Sequence, residues 1–299
     1  MFHRYTSLTH RFLLALLVFA FICVGQPKAI AQTRTRSLDL FAGVDFNFRD
    51  MNFNTQYEFL IRLTPSFKWN LGNHWQLAGQ LYIPVLNQYG EQDKYIQPNI
   101  LDLSKEFHIK NLYFKASAGI FSTYYYGVDL KAFLPITKWF AFEGQAGCVG
   151  GIIVNPFWNT GPMNNFVGTV GGDIYLTKWN TQFRCVVGKY LYKDFGGEVE
   201  AMRHFNHTTV SVYSRWNNAQ GFDGGFRFVI TIPPYHRKLR IVNFRPASNF
   251  RMSYTVMNHE FSNKMYRTDP EENERDGWFS RDFLQWGSHT MEPDFTIKN

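Results

Sequence analysis

Ionisable residues recur inside apolar stretches of this chain at Asp45, Glu58, Arg62, Lys68, Lys115, Asp129, Lys131, Glu143, Asp173, Arg184, Glu200 and Arg227. Side chains two positions apart on a strand share a face, so alternation with aliphatic residues collects these groups on one side. Both signs are interleaved there. Such a face suits two uses: an ion-pair network that fills a narrow space, or a hydrated lumen lining that contacts and passes a polar solute. A second group, Arg237, Lys238, Arg240, Arg245 and Arg251, follows Pro233-Pro234 with no acid between Asp223 and Glu260. It would attract an anionic polymer or lipid phosphate, or merely solvate a connector and pair with the acids at 269–276.

Other reactive side chains are sparse. His204 and His207 stand three apart beside Glu198 and Glu200, a spacing open to metal or acid–base work, although loop histidines without a further ligand are usually just solvated. GxSxG, HExxH, the P-loop and GxGxxG are all absent, so the chain reads as no enzyme, with neither cofactor nor metal implied. An outer-membrane enzyme on lipid or glycan stays the alternative, because a barrel can carry hydrolytic sites that short motifs do not reveal. Beyond the N-terminal segment only Cys148 and Cys185 occur, which excludes a disulfide scaffold and a CxxC metal site.

The elements that must position the charged face follow a period of two. Leu38, Leu40, Ala42, Val44, Phe46 and Phe48 alternate with Asp39, Asp45, Asn47 and Arg49, and the pattern resumes from Phe53 to Lys68 and from Trp75 to Val85. Further strands are expected at 99–107, 112–121, 127–134, 139–149, 166–176, 181–192, 197–203, 208–215 and 224–232, about twelve in all. Connections at 70–73, 108–111, 135–138, 177–180 and 204–207 are tight, while 86–97, 150–165 and 216–223 are long. Short turns at one end and longer loops at the other is the outer-membrane asymmetry. Trp69, Trp75, Trp139 and Trp179 border the tight turns and Trp158 and Trp216 the longer loops, as interfacial aromatic girdles would. A soluble β-sandwich also alternates, so the tryptophans favour the membrane reading without the alternation deciding it.

Composition agrees with a β-protein that crosses a membrane by strands. The chain is 45% hydrophobic and 18% aromatic with 18% charged residues, yet its mean hydropathy is −0.28, which excludes a polytopic helical membrane protein. Residues 1–31 carry Arg4 and Arg11, an apolar stretch over 12–25, and Ala29-Ile30-Ala31 as a small-x-small cleavage site, the form of a secretory signal peptide. Its removal takes away Arg4, Arg11 and Lys28 and lowers the formal charge from +7 to +4, too little basic excess for a nucleic-acid binder.

Gly196-Gly197-Glu198-Val199-Glu200, the stretch from Thr208 to Trp216, and Gly221-Phe222-Asp223-Gly224-Gly225-Phe226-Arg227-Phe228 leading to Ile232-Pro233-Pro234 resemble the YjbH-like exopolysaccharide-biosynthesis family of outer-membrane barrel proteins. The resemblance covers residues 196–234 and the upstream strands only in style. It implies a role in export or surface assembly of exopolysaccharide and carries over no catalytic residue.

The expected architecture is therefore all-β. It consists of a signal peptide over 1–31, an antiparallel transmembrane β-barrel of about twelve strands over 37–232 with short periplasmic turns and longer extracellular loops, and a polar periplasmic tail over 233–299. The stretch 250–256 is either part of that tail or an added strand. Expected partners are outer-membrane lipid, anionic polysaccharide and other export components, and the expected location is the bacterial outer membrane.

Overall fold

The computed structural model describes residues 37–49, 58–88, 94–137, 139–154, 159–205, 208–219, 221–231, 237–239, 242–246, 249–256 and 265–270. The expected signal peptide, Trp158, His207, Arg240 and the acids beyond Pro270 lie outside the described residues.

The described chain is all-β, a single 18-stranded sheet. The first expected strand is broken at Gly43 into β1 (Ser37–Ala42) and β2 (Val44–Arg49). The second is broken at Thr64-Pro65 into β3 (Glu58–Leu63) and β4 (Ser66–Gly72), where proline has no N–H for the ladder. Hydrogen bonds from Thr64 N to Gly43 O (2.8 Å) and from Leu81 N to Pro65 O (3.1 Å) carry the pairing across both breaks. An antiparallel meander follows: β5 (Trp75–Asn87), β6 (Gln97–Ile109), β7 (Leu112–Phe121), β8 (Tyr125–Thr137) and β9 (Phe140–Ile153). After the short β10 (Asn159–Thr160) it continues as β11 (Asn165–Leu176), β12 (Thr181–Lys189), β13 (Phe195–His204), β14 (Thr208–Asn217) and β15 (Gly221–Thr231). Asn73, His74, Lys110 and Asn180 adopt positive φ in the tight turns of one end, the conformation that matches hairpin twist. The connection expected as a long loop over 216–223 is instead tight, because β14 runs to Asn217 and β15 begins at Gly221, whose φ is +83°.

Beyond Pro233-Pro234 the chain does not simply trail away. Arg237–Leu239 (β16) and Val242–Pro246 (β17) pair as a hairpin, and Asn249–Val256 (β18) pairs antiparallel with β15, so the added-strand alternative describes 250–256. Two parallel pairings then lead back to the start of the chain. β17 pairs with β1 from Leu38↔Val242 to Ala42↔Pro246, and β18 pairs with β2 at Met252↔Phe46 and Ser253↔Asn47. Because β18 runs in the same direction as β2, it ends at the opposite end of the sheet from the tight turns. The tail over 233–299 is expected on the periplasmic side with the short turns; the added strand instead ends at the opposite side.

The polarity of the two faces is inverted relative to a water-soluble sheet. Along β14, Thr209, Ser211, Tyr213, Arg215 and Asn217 are buried while Val212 and Trp216 are exposed. β6 repeats the pattern, with Gln97, Asn99, Asp102 and Ser104 buried and Leu101 and Leu103 exposed. Apolar packing on the buried side is local: Phe121, Val149, Val167 and Leu191 gather around Tyr266, which comes from the C-terminal tail.

Candidate functional site

The strand registers bring the buried acids and bases into pairs. Asp45 on β2 faces Arg62 on β3, whose guanidinium donates to it at 2.6 Å and stacks 3.8 Å from the centre of the Tyr82 ring. Glu143 on β9 accepts from Arg184 on β12, reaching past the intervening β11 at Gly171. A Cβ at Gly171 would lie 2.9 Å from the Glu143 Oε1, so this glycine leaves room for a carboxylate. Asp173, fully buried, accepts from Gln182 Nε2 at 2.6 Å. Glu200 accepts from Arg227 and from Ser211 Oγ (2.6 Å), and the Arg227 guanidinium stacks 4.3 Å from the Tyr213 ring centre. Of the remaining residues expected on this face, Lys131 is buried and stands opposite Lys115, whereas Glu58 is half-buried at the start of β3, opposite Arg49.

Two features depart from the sequence reading. His204 is a buried side chain, not a solvated loop histidine: Nδ1 lies 2.9 Å from Thr209 Oγ1 and Nε2 lies 3.2 Å from Gln182 Oε1. Gln182 passes this string on to Asp173, so both ring nitrogens are satisfied within the sheet. No group of three or more His, Cys, Asp or Glu among the described residues could hold a metal ion, and Cys148 and Cys185 are both free thiols. Asp223, read from sequence as a loop residue, is buried on β15. There it takes a bidentate fork from Arg215, with Nε to Oδ1 at 2.9 Å and Nη2 to Oδ2 at 2.7 Å.

The least anticipated part of the site comes from the tail. Residues 265–270 lie against the buried face, where Tyr266 and Thr268 are almost fully buried. Tyr266 stacks on Phe121 with centroids 5.2 Å apart, and its hydroxyl donates to Asp129 Oδ1 at 2.6 Å. Gly147 sits opposite Asp129 in the β8–β9 register and makes this fit possible, because a Cβ there would come within 1.7 Å of the Tyr266 hydroxyl. Arg267 N donates to Ser122 Oγ at 2.7 Å and its guanidinium to the Tyr82 hydroxyl. Gln80 Nε2 donates to Pro270 O at 3.3 Å.

Asp269 closes the arrangement. Its Oδ1 lies 2.5 Å from Lys68 Nζ and its Oδ2 2.9 Å from Lys115 Nζ, and both lysines are buried. Burial alone would raise its pKa, but the two ammonium groups outweigh that and hold Asp269 well below the ordinary carboxylate range. The tail acid expected to neutralise the basic cluster thus pairs with lysines of β4 and β7. The cluster itself is spread over strands: Arg237 and Lys238 on β16, Arg245 on β17 opposite Phe41, and Arg251 on β18 opposite Val229.

No protein-family model matches the chain, and no curated protein matches it significantly.

Proposed function

We propose that the chain is an outer-membrane β-barrel, closed through the β15–β18–β2 pairings, with its apolar face toward lipid and its charged face lining a narrow polar lumen. The observation that carries this reading is the inverted polarity: aliphatic and aromatic side chains such as Val170, Val212 and Phe222 are exposed while Asp173, Glu200 and Arg227 are buried. A sheet in water would have the opposite arrangement, and a lipid-facing charge costs about 2–4 kcal/mol at the bilayer midplane. Exposed Trp69, Trp139 and Trp179 beside the tight turns, with Trp216 near the other end, favour interfacial girdles. The tight turns then face the periplasm and the other end faces outward.

Within that barrel class, a role in export or surface assembly of exopolysaccharide follows from the resemblance over residues 196–234. The paired charges favour a constricted lumen that contacts its solute closely over a wide water-filled pore. The test is migration of the mature protein with and without boiling, together with surface polysaccharide after deletion of its gene. A heat-modifiable band and lost polysaccharide are expected. Recovery of the unboiled protein as a soluble periplasmic monomer without detergent refutes the barrel, and unchanged polysaccharide refutes the role.

A further inference from the structure

We propose that Lys68 and Lys115 form a lumen binding site for an acidic saccharide, and that Asp269 of the chain's own tail occupies it as an internal competitor. The inference rests on the barrel reading above. Two buried ammonium groups converge on one carboxylate and take one oxygen each, the geometry with which a pair of lysines holds any carboxylate or phosphate. Other charges stand near them: Asp102 on β6 accepts from Ser117 Oγ at 3.2 Å, and Lys131 stands opposite Lys115 in the β7–β8 register. The wall beside the lysines is polar and hydrogen-bonded: Asn99 Nδ2 donates to Gln80 Oε1 (2.6 Å) and Thr123 Oγ1 donates to Asn99 Oδ1 (2.9 Å).

The ligand class follows from what else the tail covers. Tyr266 lies flat on Phe121, whose side chain is fully buried beneath it. With the tail displaced, an aromatic face and a cation pair line the same lumen, which suits a sugar ring bearing a carboxylate better than a bare anion. Direction agrees as well. The end of β18 lies at the non-turn end of the sheet, and Arg267 N donates to Ser122 in the β7–β8 connection at that same end, so both lie on the side assigned above as extracellular. A solute at Lys68 and Lys115 must therefore displace Asp269, and its intrinsic affinity is scaled down to the fraction of chains with the tail undocked.

Gly147 supplies a test that leaves every charge in place. Gly147→Ala puts a Cβ where the Tyr266 hydroxyl now sits, and Asp269→Asn removes the competing carboxylate while keeping the rest of the tail. Binding of tri-galacturonate, neutral maltotriose and inorganic phosphate to the full-length protein is measured by calorimetry, with hydrogen exchange of residues 265–270 reporting docking. Both variants are expected to lose protection in 265–270 and to bind tri-galacturonate at least tenfold more tightly than wild type. Adding Lys68→Gln and Lys115→Gln to Gly147→Ala should abolish that gain, and maltotriose should gain nothing in any variant. Tail release without a gain for tri-galacturonate overturns the site, and unchanged protection in both variants overturns the competitor. An equal gain for phosphate overturns the saccharide assignment. Heat-modifiable migration of the same variants tests the barrel separately, so lost binding in a heat-modifiable protein counts against the site alone.

Discussion

Val212→Arg separates lipid from water on the apolar face. Val212 is at the middle of β14, 63% exposed, between Ala201 on β13 and Phe226 on β15. If that face meets hydrocarbon near the midplane, an arginine there costs about 2–4 kcal/mol. At about 1.4 kcal/mol per tenfold, the folding equilibrium falls roughly thirtyfold to several hundredfold. If the face meets water, the same substitution changes stability by no more than about 0.5 kcal/mol, because it touches no cap, cavity or buried partner. Val170→Arg on β11, equally exposed, repeats the test on a distant strand and should show the same loss. The measurement is equilibrium unfolding in denaturant with the protein inserted in short-chain lipid vesicles, followed by tryptophan fluorescence. Both variants within about 0.5 kcal/mol of wild type would refute a lipid-facing sheet.

Arg215→Met should destabilise by about 3–5 kcal/mol, since it leaves the fully buried Asp223 carboxylate without its bidentate partner. Adding Asp223→Leu should recover most of that loss in the same unfolding assay, and a single-variant loss below about 1 kcal/mol would contradict a buried ion pair. The tail should also stay docked in acid. The Asp269 pKa is depressed on docking, so its contribution is present above the ordinary carboxylate pKa of about 4 and is lost only as pH falls through the lower docked value. Hydrogen exchange in 265–270, corrected for intrinsic rate, should thus remain slow at pH 4 in the wild type. Loss of protection between pH 5 and 4 would show that Lys68 and Lys115 do not hold the carboxylate.

How much of this was legible in sequence depends on how local the signal is. A period of two registers directly, so the expected strands coincide with β1 to β9 and β11 to β15 to within a few residues, with Gly43 and Pro65 breaking two of them. The membership of the charged face was equally readable, because alternation fixes which side each residue takes; Asp173, Glu200 and Arg227 needed no tertiary knowledge. Partner choice was not readable. Glu143 and Arg184 meet across the intervening β11 only because Gly171 has no side chain, and no pattern along the chain announces that. Asp223 falls at the end of the expected loop 216–223, just before the strand expected over 224–232, whereas β15 begins three residues earlier at Gly221.

The tail was misread for a reason that bears on its role. A segment such as Met265-Tyr266-Arg267-Thr268-Asp269-Pro270 has the polarity of a solvated connector, and in a protein whose core is apolar that reading is sound. A sheet that buries its charges inverts the rule: the segment that fits inside must itself be polar and must carry the complementary charge. Asp269 meets that requirement between Lys68 and Lys115, Tyr266 meets it against Asp129, and Gly147 leaves the space that Tyr266 needs. In the proposed barrel, a solute arriving from the non-turn end would meet a site already filled by a group of its own chemistry, so passage would be decided by competition at the lysine pair.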